Sequence, residues 1–156
     1  MHPPPNEACN LLKRYYAQLH SLKNRFPQLM EHSMFTFTWK DLYQNNVAEH
    51  SSINYELAAV LFNIASSHTQ MGSSVTRGDV EGMKTACTHF QCAAWAFGEL
   101  KQRYPVGPDF MTPELLVFMQ QVCFAQAQEC ILEKSLIDNR KPNIVAKVTA
   151  QIVVYY

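Results

Sequence analysis

The segment "CTHFQC" brings Cys87, His89 and Cys92 close together in the chain, and cysteine and histidine are the residue types that hold zinc. On a helix, however, residues two apart point about 200° from each other, so Cys87 and His89 diverge. Only His89 and Cys92 share a face, and a tetrahedral site would need two more ligands from elsewhere. Packed cysteines and a surface histidine are therefore expected, with no metal and no cofactor. A cysteine-based phosphatase needs a thiolate with an arginine six positions on, so that the intervening amides wrap the phosphate. The positions six beyond Cys9, Cys87, Cys92, Cys123 and Cys130 hold Tyr15, Ala93, Gly98, Glu129 and Leu136. That chemistry is excluded. Glu129 and Glu133 lie four apart, the spacing of a solvated helix face. The sequence also lacks a glycine-rich phosphate loop and a nucleophile elbow, so an enzyme is not expected.

Composition narrows the class further. The 156 residues suit one domain, and 47 % apolar content with 12 % aromatic is enough for an ordinary core. Thirteen basic residues balance thirteen acidic ones, with no basic stripe to track phosphates, so neither nucleic acid nor an anionic membrane surface is an expected partner. The start "MHPPPNEACN" lacks the pattern of a signal peptide, and no run of 18 apolar residues occurs. A cytoplasmic protein without membrane insertion and with reduced thiols follows as the expectation.

The spacing of apolar residues then lays out the elements. Leu11, Leu12, Tyr15, Leu19, Leu22 and Phe26 draw a helical stripe that Pro27 ends. In "MFTFTWKD" the alternation of Phe35, Phe37 and Trp39 with polar neighbours predicts one short strand. Ile53, Leu57, Val60, Leu61, Ile64, His68 and Met71 predict a second helix, with Gly72 as its stop. Asp79 caps a third, whose stripe from Met83 to Tyr104 contains small residues that admit a close neighbour. Thr112 and Pro113 open a fourth after the loop "PVGPDFMTP", running to about Leu136 or Ile137, and between Leu115 and Ala127 it is apolar all round, as a central helix would be. A fifth begins beyond Pro142 and carries Ile144, Val145, Val148, Ile152 and Val153. The fold class expected is all-α: a solenoid-like, TPR-like array of long antiparallel helices with one short strand near the N-terminus. Because "QIVVYY" ends apolar and uncapped, the chain is expected to continue in a longer parent.

Four blocks in order, "FTFTWKD" (35–41), "YELAAVLFNIASSHTQMG" (55–72), "CTHFQCAAWAF" (87–97) and "AQAQECILEKSLIDNRK" (125–141), resemble the BRO-type domain of ESCRT-associated scaffolds. This is the family of Alix and the His-domain protein tyrosine phosphatase, and the likeness is nearer to the latter. It covers residues 10–156 as a middle portion of a boomerang-shaped domain; residues 1–9 do not match and are expected to be disordered. The resemblance implies a non-catalytic adaptor, cytoplasmic and recruited to endosomes. It would bind the C-terminal amphipathic helix of a charged multivesicular body protein, a subunit of ESCRT-III. Carried over by position, its apolar patch would be Ile131 on the fourth helix with Ile144 and Val148 on the fifth.

Ile144 and Val148 are one helical turn apart, and the polar turn at Pro142 can fold the fifth helix back toward Ile131. An exposed aliphatic trio of this kind suits a partner helix. By pattern alone the three would instead be core, and the chain a helical-repeat structural arm with no ESCRT-III groove of its own. Their exposure separates the two readings.

Overall fold

A computed structural model describes residues 4–29, 35–40, 45–104 and 111–156. In chain order these form α1 (Pro5–Arg25), a single 3-10 turn (Pro27–Leu29), β1 (Phe37–Lys40), β2 (Val47–His50), α2 (Ile53–Ser74), α3 (Val80–Arg103), α4 (Pro113–Ile137) and α5 (Pro142–Tyr155). Each helix packs chiefly on the next one in sequence, as in an all-α serial array. The loop expected at 105–113 lies outside the described residues for 105–110, as do residues 1–3 and the two ends of the predicted strand segment, Met34 and Asp41.

The helix starts follow their local chemistry. Asp79 accepts a hydrogen bond from the backbone N–H of Gly82 at 2.7 Å, and Thr112 Oγ1 accepts one from Leu115 at 3.2 Å with Pro113 in the first helical position. The same proline rule corrects the N-terminus. Extended Pro4 and helical Pro5 open α1, Glu7 favours its first turn, and Cys9 is only 1 % exposed, so residues 5–9, expected to be disordered, belong to the packed helix.

Gly72 does not end α2, which runs on to Ser74. Its role is steric: a Cβ there would lie 3.0 Å from the Phe90 ring, so the missing side chain lets α3 come close. The strand at Phe37–Lys40 has an antiparallel partner that the sequence pattern did not reveal, with Phe37 opposite His50 and Trp39 opposite Ala48. "VAEH" lacks an apolar alternation strong enough to be recognised. Among the contacts that dock the hairpin on α2, Trp39 Nε1 donates to Glu56 Oε2 at 2.6 Å and His50 stacks on Tyr55. Glu56 is buried, and its other oxygen accepts from Tyr15 of α1 at 2.9 Å, so one carboxylate joins three elements.

The core sits on α2. Ile53, Leu57, Val60, Leu61 and Ala65 meet Phe97 and Leu100 of α3, and Ala93, Ala94 and Ala96 bring α3 close to its neighbours. The central position expected of α4 belongs to α2 instead. α4 packs on α3 along one side and on α5 along another, which leaves Phe118 62 % exposed. α4 is also the one described helix whose length and mean hydropathy would suit a membrane span, a property that core helices share. Apolar residues all round a helix state how much surface could be buried, and neighbours decide how much is.

Candidate partner-binding surface

The predicted trio depends on how α4 turns into α5. At the end of α4, Arg140 N–H donates to Ser135 O at 3.0 Å and Asn139 N–H to Leu136 O at 3.1 Å, with Asn139 in the left-handed region at φ 49°. This is the six-to-one and five-to-two pairing of a Schellman motif, with asparagine in the place that glycine usually takes. Asp138 is ion-paired with Lys134 on the preceding turn and lies 3.6 Å from Arg140 Nη2. Those cations, Lys134 first, hold its carboxyl below the usual carboxylate range. Pro142 then starts α5 without needing an N–H, and the polar run that interrupts the apolar pattern is a stop, a turn and a start.

Arg77, in the link between α2 and α3, anchors the same stretch of α4. Its Nη1 lies 3.3 Å from Glu133 Oε1 and 4.0 Å from Glu129 Oε2, and it donates to Cys130 Sγ at 3.6 Å. Tyr156 at the end of α5 donates to Glu129 Oε1 at 2.7 Å. The two glutamates are thus not simply solvated, as their spacing alone suggested; they tie α4 to the loop on one side and to α5 on the other. No local signal could have disclosed Arg77, which is more than fifty residues from its partners.

All three predicted positions lie at or near the surface. Ile131 is 36 % exposed, Ile144 is 41 % exposed, and Val148 is half-buried. Among the described residues α5 contributes no buried side chain at all. Ile131 lines a recess of about 310 Å³ with Met83, Lys84, Cys87 and Thr88 of α3 and with Lys134. Ile144 lines a separate open recess of about 530 Å³ at the turn 138–141, and Val148 lines neither. The three therefore belong to two packed, adjacent helices but do not wall one pocket. Lys84 and Lys134 line the recess at Ile131, and Lys141 lines the one at Ile144.

The "CTHFQC" residues separate as helical geometry requires. Cys87 packs with Cys130 in a small apolar cluster under the Ile131 recess, where burial pushes both thiols up. Cys92 faces a different cavity, between α1, α2 and α3. His89 is not the surface histidine expected: it is half-buried, with Nδ1 3.0 Å from Nδ1 of His68 on α2. Among the described residues no three histidine, cysteine or acidic side chains converge as metal ligands.

Comparison with known proteins matches residues 2–156 to a family described as BRO1-like domain. The human protein named tyrosine-protein phosphatase non-receptor type 23 is 39 % identical over 156 residues, which cover 99 % of this chain and 10 % of that protein. ALG-2 interacting protein X of Dictyostelium discoideum is 38 % identical over 148 residues, covering 92 % of this chain and 19 % of that one. Among solved structures, the complex titled "ALIX BRO1 CHMP4C complex" superposes with a TM-score of 0.88 at 30 % identity, over 99 % of this chain and 47 % of the other. The chain thus spans about a tenth to a fifth of these two relatives and about half of that structure.

Proposed function

This chain belongs to the BRO1-like domain family, and from that membership we propose that it is a non-catalytic adaptor for an ESCRT-III subunit. In this reading the C-terminal amphipathic helix of a charged multivesicular body protein lies on the surface formed by Ile131, Ile144 and Val148. The chain would act in the cytoplasm and be drawn to endosomes by that contact, without inserting into the membrane. The observation that carries the reading is the exposure of Ile131 and Ile144, two large aliphatic side chains held out of the core on helices that pack on each other. The matched structure, of ALIX BRO1 in complex with CHMP4C, supports the choice of partner class. The competing reading, a structural arm with no ESCRT-III groove of its own, expects the trio buried, and the exposure of Ile131 and Ile144 favours the adaptor over it.

The exposed fraction sets the strength of the contact. Fully burying an aliphatic side chain yields roughly 1.5–3 kcal/mol, but these three are already partly covered, so the gain remaining is about 1 kcal/mol each. Association costs several kcal/mol or more. The partner's own apolar face must supply the rest, and binding of micromolar class or weaker is expected, raised by the many copies of a polymerising partner.

The test is titration of the chain with a peptide of that C-terminal helix, in parallel with Ile131→Asp and Ile144→Asp. A loss of roughly tenfold or more in affinity is expected for each, with helicity by circular dichroism intact. Unchanged binding in folded variants would end the assignment.

A further inference from the structure

A further cavity, of about 410 Å³, opens between α1, α2 and α3 and shares only Thr88 with the recess beside Ile131. Leu61 and Ile64 of α2, Ala96 of α3 and Tyr16 of α1 line it, and Trp95 stands at it 61 % exposed. The exposed indole thus continues the apolar lining of the cavity out to its mouth. The volume falls in the range of small-molecule sites, about 300–1,000 Å³.

The lining limits what could fill it. It is overwhelmingly apolar, so a ligand rich in hydrogen-bonding groups, a peptide backbone included, would give up water without replacement. Lys13 carries the one permanent charge among the lining residues, and it makes no ion pair with a carboxylate among the described residues. Its ammonium sits near enough to His68 and His89 to help keep both rings neutral, burial being the larger cause. The bond between those two rings occupies one nitrogen of each. Around neutral pH the site therefore offers one cation, no anion and an apolar floor.

We propose that this cavity binds a free single-chain amphiphile with an anionic head, of the fatty-acid class. Its chain lies against Leu61, Ile64, Ala96 and Trp95, and its carboxylate meets Lys13. The site is independent of the helix-binding surface and goes beyond it.

The experiment titrates the whole chain with sodium dodecanoate, below its micelle concentration and at neutral pH, and reads tryptophan emission. Trp95→Phe identifies the responding ring against the Trp39 background. A saturable, one-site change is expected, with dodecylammonium weaker by roughly tenfold. Lys13→Glu, a change at an exposed position, should reverse that order. Cys92→Phe, which narrows the mouth from a half-buried position, should weaken dodecanoate by roughly tenfold with helicity retained. Equal affinity for both head groups in the wild type and in Lys13→Glu would overturn the proposal, as would a change that never saturates. So would binding to phosphatidylserine vesicles with none to free dodecanoate, which would indicate a membrane-surface contact and not this cavity.

Discussion

α2 and α5 are both apolar helices, yet α2 buries thirteen residues and α5 buries none. α2 is enclosed by α1, the β-hairpin and α3; α5 touches α4 and is held at its end by Tyr155 stacked on Phe124 and by Tyr156 on Glu129. The difference lies in the number of neighbours, since the side chains are alike. One helix buries its apolar surface in the core, and the other leaves much of its own open. The same contrast fits the proposed division of labour, with α1–α3 forming the platform and the α4–α5 end presenting the surface.

The largest effect should come from breaking the platform. Phe97 is fully buried and meets Phe62 edge-to-face at 5.8 Å. Phe97→Ala removes that ring from a close-packed site and should cost about 3–5 kcal/mol, read by denaturant unfolding. A cost under about 1 kcal/mol would mean that α2 and α3 are not the centre of stability.

Acid should weaken the platform next. Burial, with Lys13 and His89, lowers the His68 pKa from 6.5 to about 4. Between those values the unfolded chain binds a proton that the folded chain refuses, so stability is complete above about pH 6.5 and falls as pH drops toward 4. The loss should be about 2–3 kcal/mol at pH 4, followed by thermal melts across that window. His68→Gln should flatten the slope without abolishing it, because burial lowers His20 and His89 in the same direction. A wild-type stability independent of pH over this range would contradict the burial of His68 beside His89.

The legible parts of this chain are those governed by neighbours in sequence. Asp79, the Thr112–Pro113 pair and the polar turn before Pro142 mark helix ends because caps act within four residues. The trio's positions followed from family likeness, and its exposure followed from nothing local, since Ile53 and Ile144 look the same in a periodic pattern. Gly72 looked like a stop because glycine has both uses, and only Phe90, eighteen residues away, selects the packing one. The second strand, the His68–His89 pair, the Arg77 anchor and the apolar cavity all join residues distant in sequence, so no window of spacing could contain them.

The turn between the two helices of the surface should respond more modestly. Asn139 holds a left-handed backbone that alanine adopts at a cost of about 1 kcal/mol, whereas glycine adopts it freely. Asn139→Ala should lower the melting temperature by roughly 2–4 °C and Asn139→Gly should leave it level or raise it. Equal losses in both would point to the asparagine side chain instead of the backbone.

The smallest change in stability is also the sharpest test of the contrast. Ile53 at the start of α2 is 1 % exposed, and an aspartate there would bury a charge without a partner, enough to unfold much of the chain. Ile144→Asp places the same carboxylate on α5, in an open recess beside Arg140 and Lys141 and within the first turn, where the helix dipole favours an acidic group. Its effect on unfolding should stay within about 0.5 kcal/mol. If the two aspartates were equally damaging, α5 would be core like α2, and a partner helix would have no free aliphatic surface to cover.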